Sequence, residues 1–368
     1  MEWNWQHKEW PKFTYDEDAL KEYEVDFLKG SSVVFGAVQH ITENDKKNIL
    51  VEIISEEALK TSEIEGEMLD RGSVQSSIRR NLGLKTDNSK IPQSEQGISD
   101  MMTDLYETFS NNISHEYLFN WHKKLTTGRK DISSIGAYRS HEEPMQVVSG
   151  FIHKPKIHFE APPSSNVIVE MGDFIKWFNN ATKNKSSDLK TLSNAGIAHL
   201  YFVSIHPFED GNGRIGRSLA EKMISSILGY PVLLSISNII QDNRKKYYEI
   251  LEQHNTELEV TAYLKYFAKV VLDAQVNTQK MIEFIIKKIK IYDLYKDRLN
   301  VRQNKVLGRI FEEGLNGFKG GLSAQNYINI TKTSRATATR DLQEMVNLGV
   351  VYKTGELKHT RYYVNGLG

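Results

Sequence analysis

The chain has 368 residues, 39% hydrophobic and 26% charged, with 47 Lys+Arg against 47 Asp+Glu and no cysteine. That length exceeds one typical core and implies two or three domains. The balanced charge gives no overall pull toward a polyanion, so any basic patch must be local. The missing cysteines exclude disulfides, thiolate nucleophiles, Cys-ligated zinc and iron–sulfur clusters. The opening MEWNWQHKEWPKF lacks a basic-then-apolar leader pattern. The run Ile282–Ile291 is broken by lysines and too short to span a bilayer. A cytoplasmic protein with no membrane contact is the expectation.

Three zones follow one another. The first, 1–112, opens on aromatics (Trp3, Trp5, Trp10, Phe13, Tyr15) and continues as helical text. From Glu43, the residues Ile49, Val51, Ile53, Ile54 and Ala58 fall at helical spacing. The second zone, 113–270, starts helical around Tyr117–Leu125. The stretch from Ser133 to Val167 then turns β-branched and aromatic, with four prolines, and reads as a hairpin with loops. Helical periodicity returns from Asn166 to Phe267. A lysine-rich amphipathic helix over 271–300 links to the third zone, 301–368. There RQNKVLGRIFEEG reads as a helix ending at Gly314. A helix, a turn and a second helix follow, with Ser334 as N-cap and Gly349 as C-cap. Two β-rich runs around Gly355 close the chain. Helix–helix–helix–hairpin resembles a winged helix-turn-helix.

The densest chemistry is HPFEDGNGRIGR, His206–Arg217, directly behind the apolar run LYFVSI. Gly211 and Gly213 flank Asn212 and let the backbone turn successive N–H groups onto one spot. RIGRSLAEKMISSIL is helical, with Ala220, Met223 and Ile227 on one side, so the glycine loop stands at a helix N-terminus that favours anions. Arg214 and Arg217 share one face of the first turn and suit a di- or triphosphate. No Lys-Ser/Thr follows the glycines, which excludes a Walker-type loop. Asp210 at the rim suggests Mg2+ held by one protein oxygen plus phosphate oxygens. His206 is placed to take a proton from an attacking hydroxyl, and Phe208 reads as core. The plainer alternative is a helix cap, two surface ion pairs and a turn, none of which demands these spacings.

This stretch resembles the Fic signature: His, any, Phe, any, Asp or Glu, Gly, Asn, Gly, Arg, two of any, Arg. The resemblance implies an all-helical Fic core that moves AMP from ATP onto a Tyr, Ser or Thr hydroxyl of a target protein or of the chain itself. It implies His206 as base, Asp210 on Mg2+, Gly211, Asn212, Gly213 and Arg214 on the phosphates, and Arg217 on the terminal phosphate. Doc-like kinases depart from the motif at the position of Gly213, and this chain keeps glycine there. The pair Tyr247 and Tyr248 with Asn255 resembles the Fic segment near adenine and ribose; the alternative is two tyrosines on a half-buried helix. Around QVVSGFIHKPKI the text resembles the Fic flap, an exposed strand edge that pairs with a target backbone, with Val148, Ser149 and Gly150 as contact points. His153 and His158 are five apart, face opposite sides of a regular strand, and read as surface residues.

TSEIEGE, Thr61–Glu67, reads by itself as a charged helix end stopped by Gly66. It also resembles the Fic inhibitory motif: Ser or Thr, three of any, Glu, then Gly or Asn. Thr61, Glu65 and Gly66 fill those positions, and the resemblance implies that Glu65 pairs with Arg217 and blocks the γ-phosphate.

From Thr331 on there are six Lys/Arg against three Asp/Glu, and Arg335, Thr337, Thr339 and Arg340 stand near the start of a would-be recognition helix. DNA binding and protein contact, including a homodimer, are both open there. The expected whole is mostly α: a helical Fic core with a small β-hairpin flap, an N-terminal helical region and a C-terminal winged helix-turn-helix. Its function is expected to be AMP transfer with ATP and Mg2+, checked by Glu65. The alternatives are a DNA-binding regulator whose core senses nucleotide, or a Fic enzyme that removes AMP or uses another nucleotide.

Overall fold

The computed structural model describes residues 2–39, 42–86, 90–151, 154–183, 190–232, 234–313, 318 and 320–366. The chain divides into two compact units, Met1–Thr278 and Gln279–Gly368. Both are mostly helical, and the only sheets among the described residues are two two-stranded hairpins.

The first unit begins with α1 (Lys21–Gln39), α2 (Glu43–Ile64), α3 (Arg71–Asn81), α4 (Gln93–Glu107) and α5 (His115–Leu125). Thr42, Asp70 and Ser114 cap α2, α3 and α5 by accepting from N–H groups of the first turn. The hairpin follows, β1 (Gln146–Phe151) antiparallel to β2 (Lys154–Glu160), with a register shift between Val147 and Val148. Then come α6 (Val167–Lys183), α7 (Thr191–Ile205), α8 (Asn212–Leu228), α9 (Ile236–Asp242) and α10 (Arg244–Gln253). In α7 Leu192, Ala195, Leu200, Tyr201, Phe202 and Ile205 are all buried. A helix that is apolar all round belongs at the centre of a core, and α8 packs along it.

The expected boundary at 112 does not separate two cores. Phe27, Leu50, Ile54 and Ala58 share one apolar cluster with Phe174, Phe202, Phe208 and Ile215. The reason lies in α2, which buries residues on several faces and must be packed from several sides. Glu24 of α1 adds a polar tie: its carboxylate accepts from the N–H groups of Leu192 and Ser193, each at 2.9 Å, and so caps the buried start of α7. The aromatic N-terminus is also part of this unit. Trp3 meets Phe159 edge-on, Trp5 Nε1 donates to Glu160 O at 2.7 Å, and Trp10 meets Tyr201 edge-on. Asn4 donates from its backbone to Asn255 O at 2.7 Å and from its amide to Ser204 Oγ at 2.9 Å. The base of the hairpin and the end of α10 are therefore strapped to the same segment.

A separate linking helix over 271–300 is not found. One 35-residue helix, α11 (Thr261–Tyr295), starts well before it, because no glycine or proline interrupts that stretch. The second unit continues with α12 (Val301–Glu312), α13 (Ala324–Thr331), α14 (Arg335–Asn347) and the ribbon β3 (Val351–Thr354) with β4 (Arg361–Val364). Its core is Val306, Leu307, Tyr327, Leu342 and Met345. Ser334 caps α14, accepting from Thr337 N, and the left-handed Gly349 follows its end. Gly314 lies outside the described residues. No helix among the described residues is long and apolar enough to cross a membrane.

Candidate functional site

His206 is the residue at which α7 ends. Its backbone is left-handed (φ 50°, ψ 57°), a costly conformation for a side-chain-bearing residue. Arg139 supplies the compensation. Almost fully buried, it donates from Nε to His206 O at 2.8 Å and from Nη2 to Pro162 O at 2.6 Å and Ile205 O at 3.3 Å. It thus gathers the free carbonyls of the helix end. Burial lowers its pKa to about 10, which still leaves it charged. Nothing in the sequence around Arg139 marks it out: it stands amid aromatic and small residues.

The imidazole of His206 stands 3.2 Å from Val203 O through Nδ1. A carbonyl can only accept, so Nδ1 carries the proton and Nε2 keeps its lone pair. Burial lowers the pKa of His206 to about 4, with Val203, Glu65 and Asp210 opposing and Arg139 adding to the shift. The ring is neutral near neutral pH and able to accept a proton.

Behind it the loop is closed by Asn212. Its amide donates to Phe208 O at 2.8 Å and its carbonyl accepts from Phe208 N at 3.0 Å. Phe208 is buried and stacks on His122 at 4.2 Å. The side chain of Asn212 is thus committed to loop shape. Gly211 is the left-handed N-cap of α8 (φ 85°).

Both motif arginines are held by the TSEIEGE segment. Arg217 donates from Nη2 to Glu65 Oε1 at 2.8 Å and from Nε to Thr61 Oγ1 at 2.8 Å. Arg214 donates from Nη1 to Glu67 Oε2 at 2.5 Å. Burial opposes the charge of Arg217, but Glu65 and Tyr247 outweigh it and raise the pKa. Between the two carboxylates Gly66 turns with φ 86°, which an L side chain rarely adopts. Glu67 was not singled out from the sequence, although it lies two residues from Glu65. Gly213 has a second function here: a Cβ on it would collide with Glu65 Oε1 and crowd Arg217 Nη1. The glycine lets the carboxylate rest on the first turn of α8. Arg217 Nη1 and Arg214 Nε are buried without a hydrogen-bond partner, unmet donors of the kind an anion satisfies.

A cavity of about 690 Å³ opens over these groups, lined among others by Glu65, His206, Gly213, Tyr248 and Asn255. Tyr248 is 39% exposed and presents its ring. Tyr247 differs from the expected nucleotide wall: it is buried, with its hydroxyl 3.0 Å from His199 Nε2, and works as the floor. Asn255 gives its amide to His158 O at 3.1 Å. Val148 and Ser149 are exposed on β1, and Gly150 continues that strand. No further strand pairs with β1 among the described residues. His158 corrects its reading as a surface residue: the bulge at Val147/Val148 and the pairing of the strands turn it into the cavity wall. His153 lies outside the described residues.

Asp210 pairs with Arg129 at 2.8 Å and lies 3.8 Å from Arg214. Burial would raise its pKa, but Arg214, the Gly211 N–H and Arg129 lower it, so it is a carboxylate. Its side chain is 39% exposed. One ionised, accessible carboxylate beside a phosphate-type nest fits Mg2+ held chiefly by phosphate oxygens and water. No cluster of three or more acidic, His or Cys residues forms a protein cage among the described residues.

Residues 112–224 match the Fic/DOC family. Over 107 residues, 29% of the chain, the sequence is 33% identical to Protein adenylyltransferase Fic of Drosophila virilis and 34% identical to that of Drosophila willistoni. A Fic family protein of Desulfovibrio desulfuricans G20 superposes with a TM-score of 0.52 over 97% of this chain and 99% of that one. The chain carries a Fic/DOC family domain. Its identity to the Desulfovibrio Fic protein is 18%. It is 20% to Fic-1 of C. elegans, with a TM-score of 0.51 and 73% of each chain covered. At that level the likeness shows a shared fold. The matched stretch spans 20% of the length of the curated Drosophila relatives. Residues 3–84 match a domain of unknown function, DUF4172, which here carries Glu24, Glu65 and Glu67.

Proposed function

We propose that the chain is a protein adenylyltransferase that moves AMP from ATP to a Tyr, Ser or Thr hydroxyl and is held in check by Glu65. The observation that carries this reading is the pairing of Arg217, a buried cation of α8, with Glu65, a carboxylate that lines the same cavity as the neutral His206. Further support comes from the curated relatives, which are named protein adenylyltransferase.

In this mechanism His206 Nε2 accepts the proton of the incoming hydroxyl. The oxygen attacks the α-phosphorus and pyrophosphate leaves with the bonding electrons. Gly213 and Arg214 present N–H donors to the phosphates, which align the reacting atoms and hold charge as it develops, while Gly211, whose N–H rests on Asp210 at 2.6 Å, shapes the turn. Mg2+, carried by Asp210, would supply further neutralisation of the phosphates; Arg129 must then give up its contact with that carboxylate. Tyr248 and Asn255 bound the base and ribose, and the free edge of β1 at Val148–Gly150 lays a target backbone beside the hydroxyl acceptor site. Glu65 obstructs the terminal phosphate, because the guanidinium of Arg217 cannot serve two anions at once.

The test compares wild type with Glu65→Gly, using α-labelled ATP and Mg2+. Removing a contact worth more than about 1.4 kcal/mol frees the seat roughly tenfold or more, so label on protein should rise by at least that factor. Equal labelling of the two proteins overturns the reading.

One further property is proposed for the second unit. Arg335, Thr339, Arg340 and Gln343 form an exposed face on the capped helix α14, which supports DNA contact in the manner of a winged helix. A gel shift that weakens as salt rises would bear this out, and its absence at low salt would remove the idea.

A further inference from the structure

On the wall of the same cavity, three side chains are joined in a line. Ser149 Oγ on β1 is 2.6 Å from His158 Nε2 on β2. His158 Nδ1 is 3.0 Å from Glu252 Oε2 on α10. A carboxylate only accepts, so Nδ1 carries the hydrogen and Nε2 is the acceptor, which leaves the Ser149 hydroxyl donating to it. Lys156 fixes the other oxygen of Glu252 at 2.8 Å, and Asn255 holds the backbone of His158 at 3.1 Å. The imidazole is thus oriented from two sides. Nucleophile, base and orienting carboxylate are connected in the order that hydroxyl activation requires.

All three line the same cavity as His206 and Gly213. A simple latch between hairpin and α10 is already provided by Lys156 and Glu252, and needs neither a hydroxyl nor a histidine. We propose that Ser149 is itself an acceptor of AMP on this chain, with His158, oriented by Glu252, as its base. This rests on the AMP-transfer reading given above. Ser149 Oγ forms the bond to the α-phosphorus of ATP, and the bond from that phosphorus to the bridging oxygen breaks. Pyrophosphate leaves with the electron pair, and the serine proton passes to His158 Nε2. The product places an AMP group on β1, on the strand proposed to dock targets.

The experiment incubates full-length Glu65→Gly protein with ATP and Mg2+, follows pyrophosphate release, and maps AMP-bearing peptides by mass spectrometry. The expected result is AMP on Ser149. In the His158→Gln and Glu252→Gln backgrounds the rate of labelling at Ser149 should fall roughly tenfold or more, within the range typical of losing a positioned base. AMP found only on other residues would overturn the inference and leave the adenylyltransferase reading standing. Neither label nor pyrophosphate release would overturn both. Unchanged labelling of Ser149 in both variants would reduce His158 and Glu252 to a structural clasp and overturn the assignment of the base.

Discussion

His206 is held by one helix end and one arginine. The left-handed backbone turns its ring out of α7, Arg139 satisfies the carbonyls that the turn leaves free, and Val203 O selects the tautomer. His206→Ala should therefore lower AMP transfer to residues other than Ser149 by at least about a hundredfold while ATP still binds, as read by calorimetry. Labelling that persists at those residues would take the proton transfer away from His206. The acid limb of activity in the Glu65→Gly protein follows from the lowered pKa. A base that charges only near pH 4 keeps working well below about 6.5, the ordinary histidine value. A limb found near 6.5 would mean that the histidine is solvated as in a free peptide. The identity of His206, Asp210, Arg214 and Arg217 was legible in the sequence because their spacing within one motif is local. Arg139 and Glu67 were not, because each acts on partners 67 and 147 residues away.

Helix α2 has two functions that pull in different directions. Its end brings Glu65 to Arg217, and its middle buries Glu57 beside Glu221. Burial raises the pKa of Glu57 from 4.5 to about 7, although the Ser237 hydroxyl and N–H and then Arg217 work against the shift. The pKa of Glu221 is likewise pushed up by burial and by Glu57. A raised folded-state pKa means that the native chain favours the protonated form. The stability this provides is complete below about pH 4.5 and is lost as pH rises through about 7. Two interacting carboxyls titrate as a pair, so the slope belongs to both. Thermal unfolding followed across that window should show wild type losing stability as pH rises, by up to about 1.4 kcal/mol per pH unit for each proton. Glu57→Gln should flatten the slope. An unaltered slope would mean that other groups carry it. The helix itself was readable from its apolar spacing, whereas a carboxyl pair formed between α2 and α8 leaves no mark in either segment alone.

In the first unit the N-terminal helices and the Fic helices form a single body. Glu24 links them most directly, because its carboxylate serves three buried donors: the N–H groups of Leu192 and Ser193 and the Ser193 hydroxyl. Glu24→Ala leaves those donors unsatisfied and should cost about 1–3 kcal/mol, seen as a lower urea midpoint. The loss should appear in one transition that carries the aromatic signals of both halves of the unit. Two separate transitions, with only the N-terminal one displaced, would show that residues before and after 112 unfold independently.

By itself the sequence determined the helical class, the apolar spacing of α2, the capped start of α14, the two hairpins and the phosphate-type motif. Each of these follows from periodicity, turn residues or contiguous spacing, which are properties of neighbours along the chain. The positions of domain boundaries, the place of Tyr247 in the floor and the turning of His158 into the cavity were decided by the fold. So were the two carboxylates on the motif arginines and the Ser149–His158–Glu252 line. Burial and ion pairing depend on which surfaces meet, and residues as far apart as Asn4 and Asn255 meet only when the whole core has closed.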